Sequence, residues 1–217
     1  MAELIHAKNL NDKIKITQIE IFSLIAQNKA KESLELGQGI LREYGVELPK
    51  EDDFTQYYPK LFNLYDTNNV SELKKLPKMT NKEMLNIVEI LTSMMGPAYQ
   101  TAPHLYPKIC YVAIDMCIRH GNSAASTNAY AVHGLLLCAF FSEFEQAKDF
   151  ARLSQELVDI YDAKAYIPKV NMKANACVNH WSSEVSLTLP KLKNSIISGV
   201  EVGDFEYACY NSLYFTM

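Results

Sequence analysis

Apolar residues recur three and four positions apart along most of this chain, and short polar or glycine-containing breaks divide them into segments of helical length. Paired segments begin near residues 81, 124 and 164, a spacing of roughly 40 residues that is typical of helical repeat arrays. A helical hairpin of this kind cannot bury its apolar face alone, so neighbouring hairpins must stack on one another. The sequence therefore predicts an all-α fold organised as an α-solenoid.

Familiar start and stop signals bound the predicted helices. Thr80 and Glu83 have the spacing of a capping box, and Gly96-Pro97 predicts a break. Residues 50–79 are first polar and then rich in aromatic residues, and we expect a less regular connecting segment there. The predicted helices cover 12–27, 30–44, 81–95, 104–119, 124–141, 144–161, 164–180 and 184–199, and a last helix follows Asp204 as its N-cap. The β-branched residues in the first half of 12–27 also permit a strand there.

Counted in pairs, these segments give about four hairpins plus one unpaired C-terminal helix. Gly134, Ala147 and Ala151 are small enough for two backbones to approach closely, as tetratricopeptide-like hairpins require. The last helix carries Tyr210 and is apolar and aromatic, without the polar cap that ends a repeat array. We therefore expect residues 1–217 to be a single helical-repeat domain that is a fragment of a longer chain, or that self-associates through its C-terminal helix.

The stretch RHGNSAAST is either a catalytic loop or a joint between two helices. As a joint, Gly121 supplies the left-handed residue that ends a helix at His120, and the Ser/Thr cluster offers an N-cap to the next helix. As a catalytic loop, His120 and His133 would activate Ser123 or Ser126 as a nucleophile. The turn chemistry favours the joint, with His120 near the last carbonyls of its helix and His133 partly exposed.

Cysteines and histidines offer one weak metal pattern. Cys177 and His180 lie three positions apart and could face the same ion, with Cys110 and Cys117 as more distant candidates. Neither spacing is that of a zinc finger, and cysteine strongly prefers protein interiors. We therefore predict buried reduced thiols, with no metal site and no cofactor.

Aromatic side chains are candidates for packing or for partner binding. Trp181 lies at a predicted turn between helices, where it packs between hairpins or acts as a binding hot spot, with His180 satisfying backbone groups beside it. The 13 tyrosines, Tyr130 and Tyr210 among them, could line a concave surface of the kind that solenoids use, or interdigitate between helices.

Charge and local composition limit the class of partner. The formal net charge is −4 and no Lys/Arg-rich run provides a basic patch, which argues against nucleic acid. The first 20 residues lack the features of a signal peptide, and the longest apolar run, GLLLCAFF, is too short to cross a bilayer. Five thinly spread cysteines fit reduced thiols better than a disulfide framework. We expect a cytoplasmic protein whose partner is a protein, and neither nucleic acid nor membrane.

Signatures of nucleotide enzymes do not occur in the sequence. There is no G-x-x-x-x-G-K-[ST] phosphate loop, and Gly37-Gln38-Gly39 lacks a third glycine and lies within a predicted helix. Neither the H-R-D nor the D-F-G motif of protein kinases is found. We therefore predict that this chain is not an enzyme.

Five segments carry a resemblance to a known family. They occur in order between Leu73 and Tyr210: LKKLPKMTNKEML, GPAYQTAPHLYPKI, RHGNSAASTNAYAVHGLLLCA, VNHWSSEV and GVEVGDFEYACY. Together they resemble the tetratricopeptide-like helical region of large multidomain bacterial signalling proteins. In that family a serine/threonine kinase-like domain and an AAA/STAND-type predicted ATPase precede this region, and GAF and histidine kinase domains often follow it. The resemblance implies a connecting scaffold and transfers no catalytic residue to this chain.

The sequence leaves three functional hypotheses. The first is a non-catalytic scaffold for protein interaction and coupling in a signal-transduction protein. The second is a regulatory helical module that senses a small molecule, which predicts specific thermal stabilisation by that ligand. The third is a small metal-dependent hydrolase that uses Cys177 and His180. Missing catalytic motifs and the apolar last helix favour the scaffold.

Overall fold

The computed structural model describes residues 10–51 and 53–217, with side chains from Ile14 onward, and every regular element in this part of the chain is a helix. The predicted all-α class is therefore confirmed for these residues, whereas the start of the expected 1–217 domain lies outside them. The α-helices are α1 Leu10–Ala26, α2 Ala30–Glu43, α3 Lys82–Thr101, α4 Leu105–His120, α5 Ser126–Leu136, α6 Phe144–Ile160, α7 Ile167–Asn171, α8 Leu189–Glu201 and α9 Phe205–Thr216.

The helices form two compact units. The N-terminal unit consists of the described residues up to Leu64 together with Lys78–Gly121, and it contains α1 to α4. The C-terminal unit consists of Tyr65–Pro77 and Asn122–Met217, and it contains α5 to α9. A single helical-repeat domain and a solenoid arrangement of its hairpins stay predictions.

In the N-terminal unit, α1 pairs with α2 and α3 pairs with α4, as the sequence predicts, and α2 also packs against α3. The turn between α1 and α2 passes through Asn28, whose φ of 60° is one that asparagine tolerates better than most residues. The amphipathic pattern of α2 and α3 explains this packing, because their apolar positions face inward. The buried residues include Leu34, Ile40, Leu41, Ile87, Leu91 and Met94.

The predicted break at Gly96-Pro97 is wrong, because α3 continues through Pro97 to Thr101. Pro97 and Ala98 are buried, so the apolar face of the helix extends past the proline. The Thr101 hydroxyl donates to the Pro97 carbonyl at 2.9 Å. Burial of Pro97 and Ala98 therefore outweighs the local cost of a missing backbone N–H.

The predicted N-cap of α3 is displaced by one residue. Asn81, and not Thr80, occupies the cap, and its Oδ1 accepts from the backbone N–H groups of Glu83 and Met84. Asparagine is at least as good a cap as threonine, because its side-chain oxygen satisfies the same backbone donors.

The described part of residues 50–79 contains three 3₁₀ helices, at Phe54–Gln56, Tyr58–Asn63 and Val70–Lys75. The first two belong to the N-terminal unit, where the fully buried Tyr58 places its hydroxyl 3.4 Å from Cys110 Sγ. The third belongs to the C-terminal unit and packs against α6. Aromatic and aliphatic burial thus fixes a segment whose local sequence favours no long helix.

In the C-terminal unit, α5 and α6 form a close hairpin. A Cβ added at Gly134 would lie 2.9 Å from the carbonyl oxygen of Ala147, so only glycine allows this approach. Ala147 and Ala151 are fully buried on the facing side of α6. The expectation that small residues let these two backbones approach is confirmed.

Two stretches predicted to be regular helix are wider π-helical turns. One, Leu137–Phe141, continues α5 and ends at Ser142, which has a left-handed φ of 56°. The other, Met172–Val178, continues the short α7 and runs into a 3₁₀ turn at Asn179–Trp181. A π turn inserts one residue into the helical ladder, which a 3.6-residue periodicity does not reveal.

The prediction of an unpaired C-terminal helix is wrong, because α9 packs against α8. A Cβ at Gly199 of α8 would lie 2.9 Å from Cβ of Ala208 in α9, which shows how closely the two backbones approach. Asp204 caps α9 as predicted, accepting from the Tyr207 N–H at 3.3 Å. The final hairpin is therefore α8–α9, and α7 with its π turn packs beside it.

The joint around Gly121 has the predicted end of α4 but not the predicted start of α5. Gly121 follows His120 with φ 98° and ψ −179°, and its N–H donates to the Cys117 carbonyl at 2.9 Å. Ala125 precedes α5 without a side-chain cap, whereas Ser126 Oγ accepts from the Ser123 N–H at 2.9 Å. The serine cluster therefore closes the turn instead of capping the helix.

We expect Gly121→Ala to lower the free energy of unfolding by about 1–3 kcal/mol, because a φ of 98° with extended ψ is almost restricted to glycine. Gly39→Ala is the matched control. Gly39 lies within α2 with open space around its Cα, so alanine there should be neutral or stabilise by up to about 1 kcal/mol. Urea denaturation of the two variants measures both effects, and equal stabilities would contradict the assignment.

Candidate functional site

The two histidines of the catalytic-loop hypothesis have different environments. His120 is exposed at the end of α4. His133 is fully buried in the C-terminal unit, so the expectation that it is partly exposed is wrong. Its Nε2 lies 3.0 Å from the Tyr65 hydroxyl, and its ring packs edge-on against Phe150 at 4.4 Å. Burial lowers the pKa of His133 to about 3, so the ring is neutral at physiological pH.

The serines of the same hypothesis bind one another. Ser123 Oγ lies 3.4 Å from Ser126 Oγ, and both residues are buried, Ser123 in the turn before α5 and Ser126 at its first position. The structure thus gives the hydroxyls a role in the turn and gives His133 Tyr65 as its partner.

Tyr130 is a core residue of the C-terminal unit. Its hydroxyl donates to Asn122 Oδ1 at 3.0 Å, and its ring stacks on Phe150 with the ring centres 5.9 Å apart. Asn122 Nδ2 in turn donates to the Leu73 carbonyl at 2.8 Å. This buried chain of hydrogen bonds fixes the 3₁₀ segment Val70–Lys75 to α5, so Tyr130 interdigitates between elements and does not line a surface.

Cys177 and His180 have different environments. The Cys177 thiol donates to Met172 Sδ at 3.9 Å, and burial raises its pKa above the ordinary value. His180 Nδ1 is buried without a hydrogen-bond partner, so the expectation that His180 satisfies backbone groups is wrong for this atom. Within residues 10–51 and 53–217, no three His, Cys, Asp or Glu side chains are arranged to hold a metal ion.

Trp181 is exposed over more than half of its surface, so it is not the buried anchor between hairpins that we expected as one alternative. Its ring centre lies 5.4 Å from that of Phe144 and 4.9 Å from that of His180. The 3₁₀ turn after the second π segment presents the indole in this way. An exposed tryptophan beside another aromatic ring remains available to a partner.

A buried lysine lies between α7 and α9, at the start of the second π turn. Lys173 is almost completely buried, and its Nζ donates to the Tyr207 hydroxyl and to the Lys169 carbonyl, both at 3.2 Å. The ammonium also lies 4.4 Å from the centre of the Tyr207 ring. Burial, and then the nearby Lys169 charge, lower its pKa to about 7, against opposing contributions from Cys177, Asp204 and Glu206.

The neighbouring predicted residues support this polar contact. Asp204 pairs with Lys169 through Oδ2 and Nζ at 3.2 Å, while its Oδ1 caps α9. Tyr210 is half-buried and packs edge-on against Tyr207 with the ring centres 5.7 Å apart. Both therefore fix α9 against α7, and only part of Tyr210 is accessible for self-association.

The final hairpin leaves apolar side chains exposed. Ile197 and Val200 of α8, and Phe205 and Leu213 of α9, each expose more than half of their surface, and Val202 in the turn between the helices is also exposed. We call these five residues the C-terminal apolar surface. The contact between the two helices lies on the other side, where Gly199 meets Ala208. Leu192 of α8 is buried. The hairpin is thus apolar on an outer side as well as within.

Sequence reasoning missed Lys173 and Ile197. Lys169, Lys173 and Cys177 follow one another at four-residue steps, so in a regular helix they share one side. Lysine is rarely buried, so that row gave no reason to expect an interior ammonium. Ile197 was missed because an apolar residue on a helix is normally assigned to the core.

Comparison with known proteins links the chain loosely to signal transduction. It is similar to the hybrid signal transduction histidine kinase G of Dictyostelium discoideum, with 20% identity over 128 residues. The match covers 58% of this chain and 4% of that kinase. No protein-family model matches the sequence, and no solved structure matches it. Assignment to a tetratricopeptide-like family of bacterial proteins therefore stays a prediction.

Hydropathy along the helices adds one result on membranes. In the part of the chain that the structure describes, no helix has both the length and the apolar character that crossing a bilayer requires.

Lys173 should make stability depend on pH. Its pKa is about 7 in the folded protein and near 10.5 in the unfolded chain. At a pH between these two values unfolding therefore takes up a proton, and the free energy of unfolding rises with pH by about 1 kcal/mol per pH unit. Lys173→Met should remove this slope between pH 7 and 8.5, as measured by denaturation at each pH. The exposed Lys164 provides the control: Lys164→Met should keep the slope. Equal slopes in wild type and Lys173→Met would contradict a neutral buried amine.

Proposed function

We propose that this chain is a non-catalytic protein-interaction and coupling scaffold of a cytoplasmic signal-transduction protein. The observation that carries the proposal is the C-terminal apolar surface. Several large apolar side chains exposed on one hairpin are a candidate site for the binding of another protein. If Ile197, Val200, Phe205 and Leu213 each bury their exposed half, the favourable free energy is on the order of 3–6 kcal/mol.

The polar interior next to this surface suits a coupling role. Lys169, Lys173, Asp204 and Tyr207 connect α7 to α9, so a partner bound on the α8–α9 hairpin is attached to the π-helical segment behind it. A displacement of the hairpin would have to break the Lys169–Asp204 ion pair and the Lys173–Tyr207 hydrogen bond, or carry both partners with it. The scaffold thus has a defined route by which binding outside reaches the core of the C-terminal unit.

The similarity to a hybrid signal transduction histidine kinase supports the signalling part of the proposal. The matched segment is 4% of that kinase, and the five segments between Leu73 and Tyr210 resemble a connecting region in other large signalling proteins. A chain with an exposed docking surface and no recognisable kinase or nucleotide motif fits a connecting role between such domains.

A small-molecule-sensing module is the second candidate. Asn211 Oδ1 is buried without a hydrogen-bond partner, while its Nδ2 donates to the carbonyls of Tyr207 and Pro168. Such an oxygen would accept from a polar ligand. This candidate predicts that a specific small molecule raises the melting temperature of the wild type and not of Asn211→Leu.

We expect the double variant Ile197→Glu/Phe205→Glu to lose binding of a protein that the wild type retains, because two charges replace apolar groups at the C-terminal apolar surface. Ile19→Glu/Phe22→Glu is the matched control, since both residues are exposed on α1 in the N-terminal unit. Affinity capture from source cells, followed by binding of the identified protein in purified form, measures the effect. The affinity should fall by about 100-fold, two apolar contacts at about 1.4 kcal/mol each.

Two outcomes would contradict the scaffold assignment. In one, no purified protein, including a second copy of this chain, binds the wild type. In the other, every bound protein binds both double variants with the wild-type affinity.

A further inference from the structure

Helix α8 presents a mixed apolar and charged row of exposed side chains that is centred on Ile197. Lys193 lies four residues before Ile197 and Glu201 four residues after it, so all three share one side of the helix. Asn194 and Val200, three residues before and after, border the same row. All five side chains are exposed, and we call them the α8 row.

The charges of the α8 row are complementary to themselves. When two copies of α8 pack antiparallel about a two-fold axis at Ile197, Lys193 of each copy lies opposite Glu201 of the other. The same axis places the two Ile197 side chains against each other and Val200 opposite Asn194. Parallel packing in the same register would instead set Lys193 beside Lys193 and Glu201 beside Glu201. The sequence of charges thus selects the antiparallel arrangement.

The segments that flank α8 continue this complementarity. Val185 and Leu187 are exposed before the helix, and Val202 and Phe205 are exposed after it. In an antiparallel pair the residues before α8 of one copy lie at the same end as the residues after α8 of the other. The exposed apolar residues before and after α8 therefore meet at both ends of the contact. The central part of the contact, the 13-residue α8, is about 20 Å long.

We propose that a second copy of this chain binds the α8 row, forming a symmetric antiparallel α8–α8 contact. The inference deepens the proposed function, on which it rests, by naming the partner of that surface. A contact built on one helix and its flanks is smaller than the interface of a permanent dimer, so the dimer is weak and depends on concentration. Self-association would couple two signalling chains without a further adaptor.

Charge reversal tests the register of the contact. In Lys193→Glu both ion pairs of the dimer become Glu–Glu pairs, and in Glu201→Lys both become Lys–Lys pairs. Sedimentation equilibrium should show a dissociation constant about tenfold higher for either variant alone, since two attractive pairs become repulsive. An equimolar mixture of the two variants restores both Lys–Glu pairs in the heterodimer. The mixture, and the double variant K193E/E201K, should therefore dimerise with the wild-type constant.

Folding defects are separated from loss of the contact in two ways. Glu at position 193 and Lys at position 201 do not oppose the helix dipole, and both residues are good helix formers, so neither variant should weaken the helix itself. Lys191→Glu is the matched control: it makes the same charge change on α8, but Lys191 is exposed about 120° around the axis from Ile197. This variant should dimerise as the wild type does.

Three results would overturn the inference: a wild type that stays monomeric, single reversals with the wild-type constant, or a mixture that fails to recover. If a monomeric wild type binds a different purified protein, and the Ile197→Glu/Phe205→Glu variant loses that protein, the scaffold proposal stands and the second copy as partner is wrong. If neither a second copy nor another protein binds, both proposals fail.

Discussion

The contact of Phe150 with α5 holds the first hairpin of the C-terminal unit together. Its ring stacks on Tyr130 and meets His133 and Tyr65 edge-on, while the missing side chain of Gly134 lets α6 approach to this distance. Aromatic pairs of this kind add about 0.5–1.5 kcal/mol each beyond the area they bury. Three such pairs converge on one side chain, which makes Phe150 the centre from which the positions of α5, α6 and Tyr65 follow.

Buried polar groups inside the same unit fix the positions of two elements that apolar packing alone does not determine. The hydrogen bonds from Tyr130 through Asn122 to the Leu73 carbonyl hold one 3₁₀ segment in a single position, because any slip would leave buried donors unsatisfied. Lys173 does the same for α9 at a greater cost, since burial disfavours the charged form of its amine and lowers the pKa to about 7. The unit thus combines an aromatic centre near α5 with a titratable polar contact near α9.

Sequence periodicity predicted the existence of most helices and the turn at Gly121, because apolar spacing and glycine chemistry are local properties. It failed where tertiary contacts decide. Pro97 remains inside α3 because its helix face is buried, and α9 pairs with α8 because Gly199 admits Ala208. The candidate site was still less accessible to prediction. Ile197 is exposed although isoleucine is usually buried, and Lys173 is buried although lysine is usually exposed. Both facts become visible only in the folded C-terminal unit.

The two π turns have a consequence for how the chain can change. Each contains one residue more than a regular helix needs, so deleting that residue would return the segment to α-helix and rotate the residues after it by about 100°. At Met172–Val178 the position of the deleted residue decides which side chains move: Lys173 or the residues after it would no longer face the helices that they contact now. Related chains that differ by a single residue there would therefore keep the same helices in the same order, yet present a different set of side chains to the neighbouring helices.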